Sequence, residues 1–586
     1  MNHLVVSSHL TAWRRLFPFL HWWPQVNRHT LKYDLIAGLT VALVAIPQSL
    51  AYAQLCGVPA YYGLYATLIP VIVGVLFGSS LLLSTGPVAM TSLLTSASIM
   101  PLATYGTEQF YAYVILMALL SGLVQIGLGL ARMGVLLNFL SYPVLRGFIN
   151  AAAIIIGLSQ LPPMLGLSLK NTQHFMTDIL HVIENIDAMH FESLLFGLGS
   201  LALMALLKKF TPKLPGVLIV VILTTFISYV IDFEGLGGRI VGVIPQGLPG
   251  LSIPPVDWKA SIHMLPTAFV IALISFMEAM SSSKIIAIKT RTPWDENQEL
   301  IGQGLAKIAA AFSHAMPVSG SFSRSALNLA ADAKTGMSSI FTALTVLLTL
   351  LFFTPLLHNL PKPVLAAIIM MAVIGLINFK TIKESWIAGK PDGIAAVITF
   401  FATLAFAPNI QNGILTGIIL SLTLFLFRTM KPRIVLLGLD KDGMLRNAER
   451  FNLPKLHPQV TAIRFDGQLY FANVNYFEES ILYLVTNDPA LKYILVVANG
   501  INGLDASGVE MLKNLLDRLN QNKIALVFCS IKGNVTDVMQ RTGLVDMIGQ
   551  DNIFASEDAA LKEIAQRLAH ANSATMETHA IPQGPA

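Results

Sequence analysis

Cysteine is nearly missing from this sequence. Two occur in 586 residues, Cys56 inside an apolar run and Cys529 in a soluble-looking C-terminal region, which excludes a disulfide framework and a cysteine-based zinc or iron–sulfur site. Charge is scarce as well: 12% of the residues are charged, against roughly 25% in an ordinary soluble protein. The formal net charge is only +5 and is spread over loops between apolar runs, so it reads as topology and not as a nucleic-acid footprint. A cleavable signal is not expected, since the first thirty residues hold Arg14, Arg15, tryptophans and prolines without a short apolar core and small-residue cleavage site. The C-terminal region has no His, Cys or carboxylate cluster with catalytic spacing, so no catalytic site, metal or cofactor is expected.

Apolar residues are what the chain does have. They make up 54% of it, with a mean hydropathy of +0.65, the composition of a multi-span membrane protein. Apolar runs near 35–56, 61–78, 83–100, 111–130, 143–161, 191–207 and 216–231 predict seven spans. Runs near 262–281, 298–316, 320–333, 338–357, 363–378, 393–407 and 411–427 predict seven more. Residues 1–34 are read as a cytoplasmic N-terminal segment and 35–430 as an all-α membrane domain. Thr172–Met189, with Asp178, Glu184 and Asp187, is expected as a short extracellular helix. The Gly- and Pro-rich stretch Asp232–Lys259, which includes the alternating run Ile240–Ile244, is read as the external link between halves. Lys208, Lys209, Lys213, Lys284, Lys289, Arg291, Lys334, Lys380, Lys383, Lys390, Arg428, Lys431 and Arg433 then fall on one side, the cytoplasmic one by the positive-inside rule, with both termini inside. Seven spans per half is odd, so the second half must be inverted relative to the first.

An inverted repeat demands that a broken helix in one half have a counterpart in the other, here about 230 residues away. Met316-Pro-Val-Ser-Gly-Ser-Phe-Ser-Arg-Ser325 is crowded with hydroxyls and glycine and carries one fixed charge between apolar runs. Lipid tolerates such backbone only where it lines a cavity. Ser84-Thr-Gly-Pro-Val-Ala-Met90 interrupts the third span in the same way, with Pro87 suited to a first helical turn and Ser84 or Thr85 to its cap. Two half-helices meeting tip to tip would present unpaired amides and positive dipole ends to an anion.

Asp34-Leu-Ile-Ala-Gly38-Leu-Thr-Val, Ile46-Pro-Gln48-Ser-Leu-Ala-Tyr52-Ala, Tyr62-Gly-Leu-Tyr65, Gly86-Pro-Val-Ala89, Asn297-Gln-Glu299-Leu, and Gly320-Ser-Phe-Ser-Arg324-Ser with Ala333-Lys-Thr335 carry a family pattern. Together they resemble the SulP anion permeases, relatives of pendrin and prestin, over about residues 30–570. The resemblance implies a uracil-permease-type fold of fourteen spans, a homodimer, and a core moving substrate past a gate. It implies an anion site with backbone donors from Pro87, Val88, Ala89 and the turn Gly320–Ser323, that is Gly320, Ser321, Phe322 and Ser323. Side chains would come from Gln48, Tyr52, Ser321, Ser323 and Arg324. A Ser- and Gly-rich membrane helix also serves as a close-packing face, and Arg324 either touches substrate or offsets charge without contact.

Glu278, in Ile274-Ser-Phe-Met-Glu-Ala-Met-Ser-Ser-Ser283, is the other ionisable residue at membrane depth and a candidate proton carrier. The alternative is a structural pair with Arg324 or Lys284. In the resemblance, proton-coupled members carry Glu here. The cyanobacterial sodium–bicarbonate members carry Asp followed by Thr, where this chain has Ser282.

Residues 435–570 read as a separate α/β domain covered on one face of its sheet. Strands are expected at Val460–Asp466, Leu469–Phe471, Tyr493–Val497 and Ile524–Cys529. Helices are expected at Asn475–Val485, Ser507–Asn520, Val535–Arg541 and Ala559–Ala569. Asn502-Gly-Leu-Asp505-Ala-Ser507-Gly508 resembles the loop of a STAS domain, in which the serine is a phosphosite. Alternatively Asp505 or Ser507 simply caps the helix. Residues 571–586 are polar and read as a disordered tail.

The expected function is secondary active anion transport, most simply sulfate with protons by an elevator movement, in a bacterial cytoplasmic (inner) membrane. Its partners are then a small inorganic anion, protons, membrane lipid and a second copy, with no nucleic acid. A C4-dicarboxylate or bicarbonate carrier of the same family, or an anion-responsive sensor without turnover, shares these motifs. A nucleobase permease would present carboxylates to its base and have little use for Arg324.

Overall fold

Asn27 starts the first long helix. Its side chain accepts from the amides of His29 and Thr30, and the Thr30 hydroxyl accepts from the Asn27 amide at 2.9 Å, closing a capping box. This helix, α1 (Arg28–Cys56), therefore begins several residues before the apolar run, and ends at Gly57, whose φ of 89° suits a residue without a Cβ. The computed structural model of the chain describes residues 17–134, 141–167, 175–211 and 215–578. The expected positions 1–16 and Lys213 lie outside the described residues, and the expected extracellular helix is described as Phe175–Glu184. The chain forms two compact units, Met1–Ser421 and Leu422–Ala586.

Eight of the described helices are long and apolar enough to cross a membrane by length and composition. The elements around the two breaks follow in chain order. After Ile69–Phe77 come the two-residue strand β1 (Thr85–Gly86), helix α2 (Ala89–Ile99) and α3 (Glu108–Leu130). In the second half come α4 (Trp258–Thr290), α5 (Glu296–Phe312), strand β2 (Ser319–Gly320), α6 (Phe322–Ala330) and α7 (Met337–Leu348). With 11 and 9 residues, α2 and α6 are only about 16 and 14 Å long, about half of the ~30 Å hydrocarbon core. They are half-helices, each beginning at one of the interruptions in the runs near 83–100 and 320–333.

The helices of the first unit sort into two bundles. Helix α5 lies along α3 and Ile69–Phe77, α4 along α3 and α2, and α7 along α1. Tyr142–Ser159 packs on Lys390–Ala405, and Phe191–Phe210 on Lys362–Ile374. The two sets meet where α1 touches Lys362–Ile374 and Gly216–Val230. Within the first bundle, fully buried Asp34 ties α1 to the turn after α6. Its Oδ1 accepts from the amides of Lys334 at 2.7 Å and Thr335 at 3.0 Å, and Oδ2 accepts from the Thr335 hydroxyl at 2.5 Å. Two residues that stand 301 positions apart in the family pattern thus meet directly.

The second unit is a six-stranded sheet in the order β4-β3-β5-β6-β7-β8. Its strands are β3 (Arg433–Leu439), β4 (Leu445–Asn447), β5 (Val460–Asp466), β6 (Tyr493–Val497), β7 (Ala525–Cys529) and β8 (Ile553–Phe554). Strands β5 to β8 pair in parallel and β3 runs antiparallel to both its neighbours. Both faces are covered, not one. Phe465, Val496 and Phe528 pack with Phe477 of α8 (Val474–Asn487) and Leu512 and Leu515 of α9 (Ala506–Gln521). On the other face Leu437, Leu495 and Val527 meet Ala560, Ile564 and Leu568 of α10 (Glu557–Thr578). Alternate residues of each strand feed the two cores. The backbone of α10 continues helical through Thr578, so the expected irregular tail from Ala571 is corrected over 571–578, where alanines favour helix. Residues 579–586 lie outside the described residues. The expected strand Leu469–Phe471 is a single bridge, Leu469 to Leu504.

Asp34→Ala removes the acceptor of two amides and a hydroxyl held in the interior, and should destabilise the protein by about 2–4 kcal/mol. The check is the thermal unfolding midpoint in detergent, which should fall. An unchanged midpoint would mean this junction is not a structural tie.

Candidate functional site

The two helix breaks touch through their backbones. Strands β1 and β2 pair antiparallel, with Thr85 opposite Gly320 and Gly86 opposite Ser319, and the Ser321 amide extends the pair by donating to Ser84 O at 2.8 Å. Each strand runs straight into a half-helix, so the N-termini of α2 and α6 are brought to one place, where their first amides have no intrahelical partner and their dipoles point positive. Neither Ser84 nor Thr85 caps α2, which begins after Val88 without a side-chain cap. Instead Ser84 N–H donates to Ser325 Oγ at 2.9 Å, and Thr85 Oγ1 accepts from Gln303 Nε2 at 2.9 Å.

Arg324 is the largest side chain in the membrane unit to be fully buried, at 1% exposed. Its Nη1 donates to the Pro87 carbonyl at 3.0 Å, while Nε and Nη2 have no partner among the described residues. Pro87 thus enters by its carbonyl, since proline has no amide to offer, and the expected donation from that position is corrected. Ser321 is likewise corrected as a backbone donor because its amide is committed to Ser84. The free amides of the α6 tip are those of Phe322 and Ser323, whose side chains are exposed, and those of the α2 tip begin at Val88 and Ala89. Gly86 explains its own identity. A Cβ there would stand 2.8 Å from Arg324 Nη2, and its φ is 155°. At Gly320 a Cβ would come within 2.8 Å of Ala279 Cα on α4, so both breaks need glycine to close against their neighbours.

Gln48 and Tyr52 lie one turn apart on α1, both buried, and Gln48 Oε1 has no partner. The Arg324 guanidinium and the Glu278 carboxyl lie near one another, with the neutral Tyr52 phenol beside them. Glu278 is partly buried on α4 and makes no ion pair with Arg324 or Lys284 among the described residues. Its Oε2 accepts from Ser319 Oγ at 3.1 Å, and Ser319 Oγ also reaches the Ser275 carbonyl at 2.9 Å. Lys284 stands over the Trp294 ring instead, at 5.8 Å. The carboxylate is therefore wired to the β2 break by one serine.

Two buried ionisable residues were missed from the sequence. Glu299 on α5 accepts from the amides of Ser79 and Ser80 and from Gln303, closing the loop before β1. Lys307, about two turns further along α5, is fully buried and donates to Gln125 Oε1 at 2.6 Å and Ser275 Oγ at 2.7 Å. A signal existed for both, since each falls inside the predicted span 298–316, where an ionisable residue is functional by default.

In the second unit Asp505 is the cap. Its Oδ1 accepts from Gly508 N–H at 2.8 Å and its Oδ2 from Phe471 N–H at 2.9 Å, which fixes the loop that begins α9. Ser507 is exposed as the second residue of that helix. Among the described residues no group of His, Cys, Asp and Glu could hold a metal ion.

Residues 31–399 match the Sulfate permease family and residues 454–560 the STAS domain. Sulfate transporter 4.1, chloroplastic, of Arabidopsis thaliana is 32% identical over 95% of this chain and 84% of its own length. A probable sulfate transporter of Mycobacterium tuberculosis (strain CDC 1551 / Oshkosh) is 29% identical over 93% of this chain and 97% of its own. Among solved structures, the murine Solute Carrier 26 family member A9 anion transporter in the inward-facing state superposes with a TM-score of 0.86 at 22% identity, covering 96% of each chain. The transmembrane domain of a cyanobacterium bicarbonate transporter, BicA, gives 0.57 at 24% identity over 68% of this chain and 98% of that one. At these identities the two structures establish the fold alone.

Proposed function

The chain belongs to the Sulfate permease family, and from that membership we propose that it is a secondary active transporter of inorganic anions, with sulfate and a proton moving together. The observation that carries this reading is Arg324, a fully buried guanidinium with two nitrogens unpartnered beside two half-helix tips. A buried charge without a partner is costly, and an oxyanion would supply the missing acceptors for Arg324 and for the amides of Val88, Ala89, Phe322 and Ser323 together. Gln48 and Tyr52 would stand beside the anion from α1 and orient it. The names of the Arabidopsis and Mycobacterium relatives support sulfate.

Glu278 is the proton carrier in this reading. Its hydrogen bond to Ser319 joins its protonation to the β2 break, so a proton gained or lost there is felt at the anion seat. The two-bundle arrangement supports an elevator: the bundle of α1 to α7 carries the site and slides past the one built on Tyr142–Ser159, Phe191–Phe210 and Lys362–Ile374. Residues 35–430 are the transport domain and 435–570 a cytoplasmic STAS domain, with both termini inside a bacterial cytoplasmic membrane and a homodimer as the working form. Exposed Ser507 at the first turn of α9 suits a regulatory phosphate, because a helix N-terminus favours added negative charge.

Reconstituted vesicles test this directly. Unlabelled sulfate should compete with labelled sulfate uptake better than succinate, bicarbonate or chloride, and acidification outside should raise uptake because a proton enters with the anion. If succinate or bicarbonate competes better, the substrate assignment is wrong. Arg324→Ala should abolish uptake while the dimer and the thermal midpoint stay intact; normal turnover would contradict the site. Glu278→Gln, which mimics the protonated acid, should leave residual uptake independent of pH, and an unaltered pH profile would remove Glu278 from the coupling step.

A further inference from the structure

The surroundings of Lys307 are unusual for a buried cation. Its Nζ reaches only oxygens, Gln125 Oε1 and Ser275 Oγ. Gln125 is held in that orientation by its own amide nitrogen, which donates to the Ala272 carbonyl at 3.0 Å and to Ser275 Oγ at 3.2 Å. Ser275 Oγ has the same Ala272 carbonyl to donate to, at 3.2 Å. With the Ser275 hydroxyl turned to the Ala272 carbonyl, both neighbours of Nζ act as acceptors, an environment that suits an ammonium. Lys307 also has no ion-pair partner among the described residues. The nearest carboxylate stands two serines away: Nζ to Ser275 Oγ, Ser275 carbonyl to Ser319 Oγ, Ser319 Oγ to Glu278. Of the elements packed on α5, α3 brings Gln125 and α4 brings Ser275 and Glu278 to this lysine.

Buried charges are ordinarily paired. Here Arg324 and Lys307 flank Glu278, which forms an ion pair with neither among the described residues, while Glu299, two turns before Lys307 on α5, is held by the amides of Ser79 and Ser80 and by Gln303. When Glu278 holds a proton, no charged carboxylate remains on the hydrogen-bonded path between the two cations, and a dianion at the Arg324 site is attracted by both more strongly than a monoanion. We propose that Lys307 is a specificity-determining residue, a second fixed charge behind the anion site that selects divalent over monovalent oxyanions. It acts through the field and not by contact, so it is a positioning charge and not a ligand. The proposal rests on the reading of the chain as an anion carrier. A unit charge roughly 10 Å from another, in an interior of effective dielectric about 20, changes affinity by about tenfold, and a dianion feels that factor twice.

The experiment measures apparent affinities for sulfate and for nitrate, a monovalent oxyanion, by competition in vesicles containing the full chain. Wild type should favour sulfate by at least about tenfold, and equal affinities would overturn the proposal without any variant. Lys307→Gln, which keeps hydrogen bonds to Gln125 and Ser275 possible, should narrow the sulfate-to-nitrate ratio by about tenfold, while Lys307→Arg should keep it. A Lys307→Gln protein that loses both anions equally, or keeps the wild-type ratio, would show a structural role only. Should wild type bind neither anion, the carrier reading itself fails, which is a separate result from an unselective carrier.

Discussion

Backbone amides at membrane depth have no water to turn to, and this chain faces that problem twice, where two of its helices break. The solution is mutual. Residues 84–86 and 319–321 satisfy one another as a short antiparallel ladder, so each break is possible only because the other exists. From that pairing follow the positions of both half-helix tips and the reach of Arg324 across to the Pro87 carbonyl. The two glycines in the ladder also follow from it, because a side chain at either would strike Arg324 or α4. What the ladder leaves unpaired among the described residues includes the donors at the tips and two guanidinium nitrogens, beside the unpartnered oxygens of Gln48 and Asn328.

Carboxylates hold the surroundings of this ladder, by two different means. Asp34 joins α1 to the turn after α6 through backbone amides, and Glu299 joins α5 to the loop before β1 in the same manner. Neither needs a cation, since amides supply the donors. Glu278 differs because its one hydrogen bond comes from a hydroxyl of the ladder itself. Two carboxylates are thus fixed by several donors and serve as ties, while the third accepts one side-chain hydrogen bond among the described residues, from the ladder.

Much of this was legible from residue order. Clusters of serine, glycine and proline inside apolar runs pointed to broken helices, because irregular backbone at that depth must line a cavity, and the two breaks do meet; single prolines did not, since Pro47 and Pro266 sit inside continuous α1 and α4. The β6 strand, Tyr493–Val497, was readable to the residue because a buried parallel strand is a short continuous apolar run. Other features were hidden by competition. Ser84 and Thr85 look like caps, yet tertiary partners, Ser325 and Gln303, claim them. Strand β3 follows a long apolar helix with only a few residues between, so its alternation is lost in the preceding run. The second covered face of the sheet depends on α10, whose apolar residues are widely spaced. Lys307 lay inside a predicted span among small residues, and its partner Gln125 is 182 positions away, beyond any local pattern.

The central claim is that the paired breaks form the seat of an oxyanion. The most direct measurement is a crystal or cryo-microscopy structure of the full chain with selenate, a heavy isostere of sulfate, located by its anomalous signal or density. The account predicts one selenate per protomer within hydrogen-bond distance of the Arg324 guanidinium and of amides at both the Val88–Ala89 and Phe322–Ser323 tips. Selenate bound elsewhere, or tips plugged by apolar side chains in its presence, would contradict it.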